Sequence, residues 1–166
     1  GYEKGAFPGA VSQKKGIIEE ADSGTLFLDQ IGSMDMKSQA KLLRVIEYGE
    51  LRRVGGSRTI KVDVRFIAAT NEDLEDNVKK GLFRKDLYHR LTAFPIEVPP
   101  LRDRKEDIPL LANYFLNKIV LDLHKEMIVI AGETMKYLLE YQYPGNIREL
   151  KNIIERMVIL ANNKVI

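Results

Sequence analysis

Two short apolar runs that each end on a polar residue constrain this chain more than any other feature. The first is GTLFLDQ at residues 24–30: a turn glycine leads into Leu26, Phe27 and Leu28, and the run stops at Asp29 and Gln30. The second is VRFIAAT at residues 64–70, which ends on Asn71. Such runs read as parallel strands buried on both faces, whose carboxyl ends open into a ligand crevice. An acid at that end can bind Mg²⁺ beside a phosphate chain, usually through water, which makes Asp29 the candidate metal ligand. Taken alone, a strand that ends in Asp is more often ordinary α/β core. Gln30 sharpens the question, because many ATPases place a water-activating glutamate directly after the acid.

Composition narrows the partners. With 166 residues, 45% hydrophobic and 30% charged, the chain fits one globular domain or a large part of one. A formal charge of only +2 gives no sequence-wide basic field for nucleic acid. The absence of cysteine excludes disulfides and thiolate metal sites and fits a reducing, cytoplasmic setting. No apolar run approaches the roughly 20 residues of a membrane span. No signal peptide is visible, and the chain opens at Gly1 without methionine, as an excised piece would.

Helical spacing of Met36, Ala40, Leu43 and Ile46 predicts a helix over residues 35–48, with Gly49 as its stop. A hairpin follows at 51–54 and 58–62, joined through Gly55, Gly56 and Ser57. Further helices are predicted at 74–80 and 84–91, and a short strand at 94–98 closed by Pro99 and Pro100. The last third changes character: 106–123, 133–141 and 146–161 are all helical. Asn146 with Glu149 three residues on reads as a capping box, and Pro144 blocks backward extension. Parallel strands followed by helices predict an α/β core over residues 1–101 and a helical lid over 102–166.

Seven segments occur in order: GAFPGA, GTLFLDQIG, QAKLLRVIEYGELRRVGG, VRFIAATN, FRKDLYHRL, FPIEVPPLRDRKEDIPLLA and YPGNIREL. Together they resemble the central AAA+ ATPase domain of bacterial sigma-54-dependent transcription activators, the enhancer-binding proteins, over essentially the whole chain. A GAF-x-GA loop ahead of the acid-tipped strand is not a general AAA+ feature, which sets clamp loaders and helicases aside. The resemblance implies a P-loop NTPase-type parallel sheet with a small helical lid. It implies a ring, usually a hexamer, that binds ATP and Mg²⁺ between subunits and drives a surface loop against sigma-54. Asp29 matches the Walker B acid and Gln30 the catalytic glutamate position. Asn71 matches sensor I, Arg148 the lid's sensor II, and Arg84 and Arg90 the arginines that reach the neighbouring subunit's nucleotide. Gly5, Ala6, Phe7, Pro8, Gly9 and Ala10 match the loop that touches sigma-54. An arginine acting across an interface supplies ~10³–10⁵ in rate and makes assembly a condition of catalysis. Arg148, two residues past the expected N-cap, would add to the positive potential of a helix start. DNA recognition would belong to a domain outside this chain.

Three departures bear on activity. No GxxxxGK[ST] phosphate loop occurs, so the strand carrying it is absent and this polypeptide alone is expected to show negligible ATPase activity. A sheet lacking that strand should expose unpaired edges and an apolar face. Gln30 cannot accept a proton, although it can orient a water, and general-base help is worth ~10²–10⁴ in rate. A natural non-hydrolysing member and an engineered nucleotide-trapping change both fit that amide. Pro8 replaces the family's threonine, which removes a hydroxyl and an N–H and biases Phe7 toward extended geometry, so sigma-54 engagement should be altered. The alternative function is a non-hydrolysing AAA+ module that signals by assembly. Among the remaining residues, Arg52, Arg53, Arg102 and Arg104 read as solvated or paired surface charges rather than ligands. His89 and His124 lack a second metal ligand at suitable spacing. Tyr143, where the family has tryptophan, reads as a neutral packing change, and Gly5 and Gly9 predict an exposed, mobile Phe7.

Overall fold

The computed structural model describes residues 1–161 and 163–166. It divides into two compact units, Gly1–Pro95 and Ile96–Ile166. The first is α/β. After a single helical turn, α1 (Ile17–Glu20), come β1 (Thr25–Leu28) and a 3-10 turn at Ile31–Ser33. Helix α2 (Met36–Tyr48), the short strands β2 (Glu50–Leu51) and β3 (Ile60–Lys61), and β4 (Arg65–Ala68) follow. Helices α3 (Leu74–Lys79) and α4 (Lys85–Leu91) complete the unit.

The apolar runs pair as expected: β1 and β4 are parallel, with Leu26 opposite Phe66 and Leu28 opposite Ala68. Burial on both faces is not observed. Leu28, Phe66 and Ala68 pack against Ile31, Leu42, Leu43, Phe83 and Leu87, whereas Phe27 and Ile67 on the other face are 59% and 46% exposed. The reason is geometric, since alternate side chains leave opposite faces of a strand and the core packs against one face only.

Helix α2 forms where its signals placed it. Asp35 caps it by accepting from the Lys37 and Ser38 N–H groups at 3.0 and 3.1 Å. Gly49 ends it at φ 64°, and a Cβ there would lie 2.6 Å from the Val62 carbonyl oxygen. The strand expected at 94–98 does not form: Phe94, Ile96 and Val98 are exposed, and no ladder pairs that segment. Apolar alternation makes a strand only where a neighbour supplies hydrogen bonds, and Pro95, Pro99 and Pro100 cannot donate.

The second unit is helical. Helices α5 (Ile108–Asp122), α6 (Gly132–Glu140) and α7 (Asn146–Leu160) bury Ile108, Ala112, Leu116, Leu138, Leu150, Ile154 and Val158 in one core. Buried positions in α7 recur every four residues, as an amphipathic helix requires. The start of α7 differs from the expected capping box. Gly145 is the N-cap, and its N–H donates to Glu149 Oε2 at 2.8 Å. Asn146 instead accepts from the Leu101 N–H at 2.9 Å. The acid thus reaches back as a capping box predicts, but one residue earlier, because the Asn146 side chain is engaged elsewhere. Tyr143 is fully buried and donates its hydroxyl to the Leu138 carbonyl at 2.6 Å. Burial pushes its phenol pKa up to about 12.

Candidate functional site

The two strand ends build the first part of the site. β1 delivers Asp29 and Gln30, and β4 delivers Thr70 and Asn71, at the same carboxyl end of the parallel pair. Backbone bonds from Ala69 N–H to Leu28 O (2.8 Å) and from Ile31 N–H to Ala69 O (3.0 Å) carry the pairing past the last strand residues. Asp29 is exposed, and its Oδ1 accepts from the Gln30 N–H at 2.9 Å. Gln30 has a left-handed backbone, φ 54°, and its carbonyl accepts from the Ser33 hydroxyl at 2.9 Å. A non-glycine residue held there is strained, and such strain is common where a side chain is aimed for function. Asn71 is exposed, and the segment beyond it is fixed by bonds from Glu72 N–H to Thr70 Oγ1 (3.0 Å) and from Asn77 Nδ2 to Glu72 Oε2 (2.6 Å).

The two arginines are held by carboxylates of the same unit rather than by Asp29. Arg84 precedes α4 and meets Asp86 through two bonds, 3.0 and 2.7 Å. That pairing raises the Arg84 pKa and lowers that of Asp86. Arg90, near the end of α4, reaches Glu47 of α2 at 3.2 Å. Sequence reading missed Gln39, which is buried in α2 and accepts from the Arg84 N–H at 2.8 Å. The available signal was its position: Gln39 lies three and four residues before Leu42 and Leu43, on the core face. Arg148 is exposed on the first turn of α7 in the other unit, three residues past the observed N-cap rather than two.

Residues 5–10 form a closed loop. Gly5 N–H donates to Ala10 O at 2.8 Å, and Ala10 N–H donates to Phe7 O at 3.0 Å. With Pro8 second in that tight turn and Gly9 third at φ 101°, the tip follows the residue pattern of a type II turn. Phe7 is 46% exposed and sets its ring edge-on to Tyr2, with centroids 4.9 Å apart. The exposure agrees with the sequence reading, while the turn bonds and the Tyr2 contact give the tip a defined shape. The loop rests on the 53–57 turn: a Cβ on Gly55 would lie 2.7 Å from Ala6 Cβ.

Arg53 fastens this base as a paired charge, and it lies deeper than the surface position expected. It donates Nη1 to Glu3 at 2.9 Å and Nε to Glu19 at 2.9 Å, and its side chain is 11% exposed. The hydrogen bond from Arg53 holds the Glu19 carboxyl below the usual range, with burial opposing. Arg102 and Arg104 pair loosely with Asp103 and Asp107, at 3.9 and 3.6 Å. Among the described residues no cluster of three His, Cys, Asp or Glu side chains could hold a metal by itself, and no helix is long and apolar enough to cross a membrane.

Comparison with known proteins gives the class. The model of the Sigma-54 interaction domain matches residues 1–97, and that of the AAA+ ATPase lid domain matches residues 102–166. The chain belongs to the Sigma-54 interaction domain family, with an AAA+ lid following it. It is 52% identical over 161 residues to the anaerobic nitric oxide reductase transcription regulator NorR of Citrobacter koseri, covering 97% of this chain and 32% of that protein. Against NorR of Aliivibrio fischeri the identity is 53% over 161 residues, covering 97% and 31%. Crystal structures of NtrX from Brucella abortus also superpose. The complex with ADP gives a TM-score of 0.85 at 40% identity over 91% of this chain and 35% of that one. The complex with ATP gives 0.84 at 41% identity over 89% and 33%. The chain therefore spans about a third of the length of the relatives it matches.

Proposed function

We propose that this chain is the partner-contact, sensor and lid portion of an ATP-driven activator of sigma-54 RNA polymerase. The observation that carries the reading is the meeting of Asp29, Gln30 and Asn71 at one end of a parallel strand pair in a chain of this family. NtrX, crystallised with ADP and with ATP, supports nucleotide as the ligand. In this reading the core spans 1–101 and the lid 102–166. Asp29 and Asn71 face the nucleotide from one subunit, Arg148 contributes from the lid, and Arg84 and Arg90 reach the next subunit's phosphates. Gly5 to Ala10 meet sigma-54, and the subunits close into a ring, a hexamer by family resemblance, in the cytoplasm. DNA is contacted through a domain outside this chain.

The residues fit Mg²⁺. Asp29 is an exposed carboxylate with an oxygen left for a metal-bound water, which suits an ion that takes most of its ligands from phosphate and water. When bound, the ion neutralises phosphate charge. Asp29 would hold it through water, Gln30 would orient a water without taking its proton, and Asn71 would donate to the phosphate end.

The test uses the complete protein. ATP turnover and open-complex formation, both lost in Asp29→Ala, support the reading. The amide at Gln30 favours a second one, a regulator that assembles on nucleotide without hydrolysing it. Nucleotide-dependent assembly with no turnover would decide for that second reading. Where the parent turns ATP over, Gln30→Glu should raise the rate by ~10²–10⁴. Pro8→Thr should raise open-complex formation, and no change would remove the role given to the stiffened tip.

A further inference from the structure

Gln39 has no part in the reading above, yet it is fully buried, as is no other amide or charged side chain among the described residues. Its Nε2 donates to the Met34 carbonyl at 2.7 Å and the Leu82 carbonyl at 3.0 Å, and its Oε1 accepts from the Arg84 N–H at 2.8 Å. Carbonyls can only accept and an N–H can only donate, so these partners fix the amide in one orientation. A leucine at this core-facing position would bury more apolar surface. The glutamine instead ties two backbone segments together. One is Met34, which closes the 3-10 turn that follows Asp29 and Gln30. The other is the stretch that brings Arg84 to the start of α4.

Arg84 is thus fixed at its backbone and loosely held at its tip. The Arg84 and Asp86 side chains are 36% and 47% exposed, so solvent weakens their pairing and the guanidinium can exchange partners. The backbone bond is directional and part-buried, on a fully buried amide, and losing it leaves the Arg84 N–H without that partner. A fixed root with an exchangeable tip is what an arginine needs to meet a charge beyond its own unit at little ordering cost.

We infer that Gln39 is a positioning residue for Arg84: it registers the arginine offered to the neighbouring subunit against the Asp29 turn of its own subunit. The inference rests on the proposal that Arg84 acts across a subunit interface, and mixed rings of the complete protein separate the two. Gln39→Met should lower kcat about ten- to hundredfold with little change in KM for ATP. Arg84→Ala and Asp29→Ala subunits, each inactive alone, should regain turnover when mixed, because some interfaces then pair an intact Asp29 with an intact Arg84. Gln39→Met mixed with Asp29→Ala should recover to the same extent. Recovery of the Arg84→Ala mixture without the Gln39→Met mixture would overturn the inference and leave the interface reading standing. Recovery of neither would remove both. Should Gln39→Met fail to assemble, Gln39→Glu keeps the acceptor for Arg84 and loses the donors to Met34 and Leu82. Its turnover, relative to the parent, should rise as pH falls and the acid regains one donor, and a flat ratio would overturn the inference.

Discussion

The two units solve the same packing problem differently. Among the described residues of 96–166, twelve side chains are buried in a single core built around three helices. Residues 1–95 bury five in their main cluster and leave Phe27 and Ile67 exposed on a two-stranded sheet. The helical unit gathers its buried side chains into one core, whereas the α/β unit places its candidate site at one sheet end and leaves Phe27 and Ile67 exposed on one sheet face. The family's chemistry-bearing motifs fall mostly in the unit with the smaller core. Two-stranded sheets are marginal in water unless packed on more structure, so the contrast can be measured.

The largest effect should come from separating the units. A polypeptide of residues 96–166 should unfold in one cooperative thermal transition by circular dichroism, while residues 1–95 should melt broadly and bind a hydrophobic dye. Equal cooperativity in both would break the comparison. Single core truncations sharpen it: Ile154→Ala and Leu87→Ala each remove a fully buried side chain and should cost about 2–5 kcal/mol by denaturant titration. Within the α/β unit, Glu19 adds a pH signature. Its folded pKa lies below the ordinary value of 4.5, so its pairing with Arg53 contributes in full above that pH. The contribution fades as pH falls through the lowered folded value. Urea midpoints should therefore drop with acid more steeply in the parent than in Glu19→Gln, and parallel curves would exclude a role for the pair. Smaller again, Asp35→Ala should lower the urea midpoint measurably through loss of the α2 cap. Tyr143→Phe should cost ~1 kcal/mol in the helical unit, because it strands the Leu138 carbonyl.

How much could be read in advance depended on where the information lay. The parallel strands were legible because apolar runs ending on Asp29 and Asn71 have few other uses in an α/β chain. Helix α2 was legible because Asp35 and Gly49 carry their cap chemistry locally. What failed was what needs a partner elsewhere. Residues 94–98 have strand character but no ladder, and the cover over Phe27 and Ile67 is not encoded in those residues. The α7 cap moved to Gly145 because Asn146 was taken by the Leu101 N–H, 45 residues away. Gln39 escaped notice for a similar reason: its type suggests solvent, and only its three backbone partners show why it is buried. Arg53 was read as a surface charge because both of its carboxylates are distant in sequence.

The turn at Pro8 and Gly9 has a kinetic consequence. A tip that is already bent loses less backbone freedom when it meets a surface, since proline has removed much of that freedom beforehand. Such a probe can seat quickly where the surface matches its shape, but it adapts poorly where the fit is imperfect. Replacing proline by a hydroxyl-bearing residue would trade speed of encounter for tolerance of mismatch. The curvature of six residues would then govern which surfaces the loop rejects as much as which one it holds.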